Sequence, residues 1–317
     1  MAVQIAVIDD WQDVARGVVD WSPLETIGQV EFIHDYPADN ASLAARLGGF
    51  EVICVMRERT RFDEDLLRRL PNLKLLVTGG MRNAALDLKA AAALGIQVCG
   101  TDSYKHAAPE LTWALIMAAT RNVVLEANAL RAGKWQQGLG GDLHGKTLAI
   151  LGLGSIGQRV ARFGQVFGMR VIAWSENLTA ERAAEAGVTL VSKQALFEQA
   201  DVLSVHLVLS ERSRGLVDAQ ALAWMKPTAL LVNTARGPIV DEAALIKALQ
   251  KQRLGGAALD VFEQEPLPEY HPFRTLDNVL ATPHVGYVSQ QNYQLFFAQM
   301  IEDIQAWSAG QPIRLLS

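Results

Sequence analysis

The sequence predicts an α/β protein built from two doubly wound parallel-sheet domains, and three observations carry that expectation. Short β-branched or apolar runs alternate with helix-patterned segments along the chain, as repeated βα units do. One run, Thr147-Leu148-Ala149-Ile150-Leu151, leads straight into Gly152-Leu153-Gly154-Ser155-Ile156-Gly157, a G-x-G-x-x-G turn that opens a helix. The chain has 317 residues, room for about two domains at ~150 residues each, and 50% of them are hydrophobic, enough for two cores.

In chain order, the first third offers strands at 4–8, 30–33, 52–56, 73–78 and 96–99, with helices at 42–47, 64–70 and 87–94. Pro71 and Gly95 punctuate the ends of the last two helices. A long helix is expected over 108–132, with Pro109 in its first turn and Gly133 at its end. Gly138-Leu139-Gly140-Gly141 then forms a flexible connection to the fingerprint strand. After the fingerprint helix, which Gly168 can terminate, strands are expected at 171–174, 188–191, 202–206, 229–233 and 257–261. The intervening helices are 179–186, 193–198 and 242–251, the last with Asp241 as N-cap, and a helix over 290–308 closes the chain.

Each glycine of the fingerprint has a function in this setting. Gly152 permits the tight turn, Gly154 lets a pyrophosphate approach the backbone, and Gly157 lets helix and strand pack closely. Free N–H groups of the first helical turn, at Ser155 and Ile156, then face the phosphates. The expectation is a dinucleotide site.

Composition excludes other classes. With 29 Lys+Arg against 34 Asp+Glu and no long basic run, neither nucleic acid nor an anionic membrane is an expected partner. No apolar run approaches the ~18 residues of a membrane helix. The N-terminus shows no basic leader, so a cytoplasmic protein is expected. Cys54 and Cys99 sit in apolar runs without a C-x-x-C and read as buried, reduced thiols; no metal ligand set is expected.

In open α/β sheets ligands bind beyond the carboxyl ends of strands. Three such places carry chemistry: Thr234-Ala235-Arg236-Gly237, the loop from Asp260 to Glu265-Pro266, and Thr282-Pro283-His284-Val285-Gly286. Singly, each reads as a surface arginine, an acidic loop and a turn histidine. Together they supply what hydride transfer to a 2-oxo acid needs. Arginine is a planar, bidentate cation for a carboxylate, and histidine is an acid/base that titrates near neutrality. A neighbouring carboxylate orients the imidazole and stabilises its charged form.

On these residues the chain resembles the D-isomer-specific 2-hydroxyacid dehydrogenase family, the group that includes D-3-phosphoglycerate dehydrogenase and glyoxylate/hydroxypyruvate reductases. The likeness is carried by Gly145-Lys146-Thr147 through Gly157, Asn233 through Gly237, Ala258 through Phe262 with Glu265-Pro266, and Thr282 through Gly286. It implies that Arg236 binds the substrate carboxylate and carbonyl, and that His284, paired with Glu265, is the acid/base. It places Asp260 beside the nicotinamide carboxamide, with His206, Thr234 and Ala235 in the cofactor pocket. Arg57 resembles a substrate-anion contact or is a solvated arginine. Gly79, Gly80 and Met81 fall where the family offers backbone N–H groups to the substrate.

The resemblance further implies a Rossmann-type cofactor domain over 103–290, inserted into a flavodoxin-like substrate domain of 1–102 and 291–317, and a homodimer using the helix after Pro109. Three positions depart from the family. Ser175-Glu176 stand where many relatives carry an Asp, Val208 replaces a proline, and Tyr287 replaces a glycine. Tyr287 either lines the substrate site or packs on the C-terminal helix. The cofactor expected is NAD, with NADP possible, because Glu176 would repel a 2′-phosphate. The alternatives are an NADP-dependent glyoxylate/hydroxypyruvate reductase and a nucleotide-sensing binding protein of the same fold.

Overall fold

The computed structural model describes residues 2–34 and 39–317. They form two compact units, Met1–Tyr104 with Val288–Ser317, and Lys105–Tyr287.

The first unit holds a five-stranded sheet of β1 (Val3–Val7), β2 (Gly28–Phe32), β3 (Val52–Val55), β4 (Leu75–Thr78) and β5 (Gln97–Gly100). The order is β2-β1-β3-β4-β5 and every pairing is parallel. β3 and β4 are buried at every position, as parallel strands covered on both faces are. Helices Asn40–Leu47, Glu64–Arg68 and Leu88–Ala93 each begin with an aspartate, Asp39, Asp63 or Asp87, whose carboxylate accepts a backbone N–H in the first turn. Such caps contribute about 1 kcal/mol each. The C-terminal helix Gln290–Ser308, capped by Ser289, buries Phe296, Phe297, Met300 and Ile304.

The second unit holds β6 (Thr147–Leu151), β7 (Arg170–Trp174), β8 (Thr189–Leu190), β9 (Val202–Val205), β10 (Leu230–Asn233), β11 (Gly256–Leu259) and β12 (Val279–Ala281). Its order is β12-β11-β10-β9-β6-β7-β8, again all parallel. The chain winds outward from β6 to β8, then returns to β9 on the other side of β6. The order therefore reverses between β6 and β9, where an open α/β sheet leaves a crevice at its carboxyl edge.

One expected element is corrected. The single helix over 108–132 is two helices, Ala107–Thr120 and Val123–Arg131, broken at Asn122 with φ 54°. Asparagine tolerates the left-handed region better than most residues. Here its Nδ2 donates to the Leu139 carbonyl at 3.2 Å, and the Glu126 carboxylate accepts from Gln137 and Gly138 N–H. The 137–139 segment is thus folded back against the break. Gly133 at φ 73° does follow the second helix. A short helix at Ala219–Trp224, capped by Asp218, was not expected; its signal was an aspartate before an apolar turn, closed by Pro227.

Both cysteines are free and buried, and burial pushes the Cys54 thiol up and that of Cys99 up to about 12. Among the described residues, no helix is long and apolar enough to cross a membrane.

Candidate active site

Because all seven strands of the second unit are parallel, the segments after β6, β7, β9, β10, β11 and β12 emerge on one edge. Gly152 adopts φ 103°, and a side chain there would run into the His206 carbonyl. The turn after β6 is thereby pressed against the end of β9. The helix Ser155–Val166 starts at Gly154 with no side-chain cap, and among the described residues nothing beyond its chain neighbours lies within 4 Å of where a Gly154 Cβ would be. Ser155 and Ile156 are exposed at that helix start, and Gly157 is buried against the Gly152 carbonyl. This is an open, uncapped helix N-terminus, of the kind that can receive an anion. Gly152 N–H donates to the Trp174 carbonyl at 2.9 Å, which brings Ser175, half-buried, and Glu176, exposed, beside the turn. His206 sits 2.8 Å from Ser204 Oγ, and removal from water holds its imidazole down at about 3, so it is neutral.

After β10, the Asn233 side chain clamps the turn. Its Oδ1 accepts from Ala235 N–H at 3.0 Å and its Nδ2 donates to the Arg236 carbonyl at 3.0 Å. Thr234 Oγ1 meets Thr112 Oγ1 at 2.7 Å, and Arg236 Nη1 donates to the Ala235 carbonyl at 2.7 Å. Gly237 leaves no room for a Cβ against the Phe262 carbonyl, so the turns after β10 and β11 touch.

Glu265 Oε1 accepts from Phe262 N–H at 2.9 Å, and Oε2 lies 2.5 Å from His284 Nδ1. His284 holds φ 51°, a left-handed conformation that its turn must impose. Buried Asp260 imposes it. Its Oδ1 accepts from Thr282 Oγ1 (2.6 Å) and Val285 N–H (2.9 Å), and its Oδ2 from Gly286 N–H (2.8 Å). Burial raises the Asp260 carboxyl, and these bonds and the neighbouring His284 oppose the rise. Tyr287 packs edge-on against the His284 ring, with centroids 5.6 Å apart.

In the first unit Arg57 follows β3 at φ 58°, and Gly79-Gly80-Met81 follow β4. Gly80, at φ 93°, leaves space that the Arg57 guanidinium fills, so these two predicted residues are neighbours. Asn83 Nδ2 donates to the Arg57 carbonyl at 2.5 Å, and Gly80 N–H donates to Thr101 Oγ1 at 2.8 Å. Gly79 is buried against Met56 and Phe296, whereas Met81 is exposed. Asp9 braces the loop that carries Arg57: it accepts from Met56 N–H at 3.2 Å and Thr60 Oγ1 at 2.6 Å.

A cavity of 720 Å³ in the second unit lies elsewhere, at the amino-terminal edge of the sheet, where Val202, Leu230, Gly256 and Val279 begin their strands. It contains none of the predicted site residues.

Residues 113–286 match the family described as D-isomer specific 2-hydroxyacid dehydrogenase, NAD binding domain. The chain belongs to that family. It is an oxidoreductase of the D-2-hydroxyacid dehydrogenase group, and its two parallel-sheet units have the group's Rossmann-type fold. It is 40% identical over 261 residues to a glyoxylate reductase of Aeropyrum pernix, covering 79% of this chain and 78% of that one. It is 35% identical over 292 residues to a D-3-phosphoglycerate dehydrogenase of Methanocaldococcus jannaschii, covering 91% of this chain. The match spans only 55% of that longer relative. A solved phosphoglycerate oxidoreductase of Vibrio cholerae superposes with a TM-score of 0.93 at 39% identity, covering 97% of this chain and 99% of that one.

For this 2-hydroxyacid dehydrogenase, sequence reading missed the residues that hold the candidate groups in place. Asn233, Asp260 as an organiser of the His284 turn, and Asp9 are such residues. Each is a polar group at or just beyond the carboxyl end of a strand, which is the one signal that could have found it.

Proposed function

We propose that the protein interconverts a small 2-oxo acid and its D-2-hydroxy acid, with NAD as the preferred cofactor. The observation that carries this reading is the Glu265–His284 pair, 2.5 Å apart, on the strand edge that also bears the open fingerprint helix. The cradle fits a dinucleotide. None of the described residues fills the space beside Gly154, and the helix that starts there has no side-chain cap. When bound, the cofactor supplies or accepts the hydride at the substrate's C2.

The chain's own residues do the rest. Nδ1 of His284 carries the hydrogen toward Glu265, which leaves Nε2 to hand a proton to the carbonyl oxygen in reduction and to take it back in oxidation. Glu265 cannot swing away, because its other oxygen is held by Phe262 N–H. Arg236 pairs with the substrate carboxylate and polarises the carbonyl. Ser175 and Glu176 read the ribose, and His206, Thr234, Ala235 and Asp260 border the cofactor. We assign Arg57 and the backbone of Gly79, Gly80 and Met81 to substrate recognition. Residues 103–290 then serve the cofactor, and 1–102 with 291–317 the substrate.

Relatives named glyoxylate reductase and D-3-phosphoglycerate dehydrogenase support a small acid. The test is a panel of glyoxylate, hydroxypyruvate and 3-phosphohydroxypyruvate, each with NADH and NADPH. Turnover of at least one is expected. Cofactor binding without any turnover would instead favour a sensing protein.

We also propose a homodimer through the helix pair Ala107–Thr120 and Val123–Arg131. Val123, Leu125 and Leu130 are exposed on the second of these helices, and Trp135 and Leu139 in the segment after it, Leu139 at 97%; exposed apolar side chains grouped in this way mark interaction surfaces. Light scattering should give twice the chain mass, and Leu130→Glu should lower it; a monomeric wild type would overturn the assignment. The two free, buried thiols support a reducing, cytoplasmic setting.

A further inference from the structure

We infer that Asp10, Asp13 and His34 form a binding site for one borderline divalent cation, of which Zn²⁺ is the type, at the carboxyl edge of the first unit's sheet. Asp10 and Asp13 follow β1, and His34 follows β2, the strand paired with it. One potential ligand atom from each of the three lies within 4.8 Å of the others, as atoms grouped around a single ion do.

The hydrogen-bond roles at His34 favour a cation between the side chains. Its Nδ1 lies 3.2 Å from the Asp10 backbone carbonyl, which can only accept, so Nδ1 carries the hydrogen. In its neutral form the ring presents the Nε2 lone pair to Asp13 Oδ1, itself an acceptor, at 3.1 Å, where a cation would serve both. Two ligands each about 2.0–2.2 Å from one ion lie roughly 2.9–3.5 Å apart. A backbone carbonyl that fixes the ring through its other nitrogen is also the usual support for a metal-bound histidine.

Asp10 supplies the independent observation. It is 1% exposed, and its Oδ2 accepts from Ala15 N–H at 2.6 Å, while its Oδ1 is buried with no hydrogen-bond partner among the described residues. A buried carboxylate oxygen is rarely left without a partner, and a cation held with Asp13 and His34 would supply one. One imidazole nitrogen with two carboxylates suits Zn²⁺, Co²⁺ or Mn²⁺ better than Ca²⁺ or Mg²⁺, which take oxygen ligands.

The ion would tie the ends of β1 and β2 together. It would also stiffen Asp9, the neighbour of Asp10, which braces the loop from Met56 to Thr60.

The experiment uses the full chain, stripped with chelator and titrated with ZnCl₂ by calorimetry, with thermal unfolding followed in parallel. Wild type should bind one equivalent at this site and melt at a higher temperature with zinc. Asp13→Asn and His34→Ala should each weaken that binding by at least about tenfold and abolish the thermal gain. Asp13 and His34 are largely solvent-facing, at 76% and 40% side-chain exposure, so metal-free melting should stay near wild type and report intact folding. Co²⁺ should give ligand-field absorption that is lost in the same variants. Absence of zinc binding up to about 1 mM, the weak end of known cation sites, would overturn the proposal. So would equal binding by wild type and the combined Asp13→Asn, His34→Ala variant; the pair would then be an imidazolium–carboxylate contact.

Discussion

Asp260 accepts hydrogen bonds from residues on both sides of His284, from Thr282 before it and from Val285 and Gly286 after it. The imidazole is therefore aimed by a buried carboxylate at the end of the neighbouring strand. Asp260→Asn presents an amide where two backbone N–H groups need acceptors. Stability should fall by about 1–3 kcal/mol in urea unfolding. The turn of His284 should loosen too, so kcat should drop more than KM rises. Unchanged stability and kcat would show that the turn holds itself.

Glu265→Gln should leave cofactor affinity unchanged and lower kcat on the order of 10²-fold, because an amide does not hold the imidazolium that proton transfer requires. His284→Ala should cost roughly 10²–10⁴ in kcat. Stopped-flow NADH binding separates the two effects, and near wild-type turnover in either variant would remove the pair from the chemistry.

Arg236→Ala should raise KM for 2-oxo acids and lower kcat, costing on the order of 2–5 kcal/mol in kcat/KM, as truncating a buried charge partner does. Steady-state kinetics on the best substrate decide it. Retention of wild-type kcat/KM would place the carboxylate elsewhere.

Glu176 is exposed in the turn after β7, with Ser175 beside it, and no arginine lies between Ala173 and Leu178. A carboxylate ~4 Å from a 2′-phosphate is opposed by about 1 kcal/mol in water and ~4 kcal/mol near a protein surface. NADH should be preferred over NADPH by about tenfold or somewhat more, and Glu176→Arg should shift the ratio toward NADPH. Equal use of both cofactors by wild type would sink this role for Glu176, as would an unmoved ratio in the variant.

Asp303 is fully buried on the C-terminal helix, where its Oδ1 accepts from Arg314 Nε at 2.9 Å. Burial pushes its carboxyl up to about 7, with Arg314 pulling the other way. The folded chain then binds a proton more tightly than the unfolded chain between pH ~3.8 and ~7. This group's contribution to stability is therefore fullest below that window and is lost as pH rises through it. Asp303→Asn removes the titration while keeping an acceptor for Arg314. The stability difference between wild type and variant should change by about 1–3 kcal/mol between pH 4 and 8, moving in the variant's favour. Urea midpoints at several pH values test this, and parallel curves would refute it.

The amino-acid sequence by itself determined the two parallel sheets. Buried parallel strands must be short, continuous apolar runs such as β3, β4 and β6, and the helices between them carry their own caps at Asp39, Asp63, Asp87 and Asp241. The turn at Gly152 and the placement of Arg236, Glu265 and His284 after strands were legible for the same reason, since these are local properties of a few consecutive residues. Tertiary structure alone decided what depends on distant partners. Asn122 breaks a helix that reads as continuous because the chain returns to it at Leu139. Asp260 reaches the turn of His284, and Asp9 reaches Thr60, only because strand order makes them neighbours. Periodicity specifies which face of an element is buried. It does not specify which other element a buried carboxylate will meet, because that contact is set by the packing of the whole sheet.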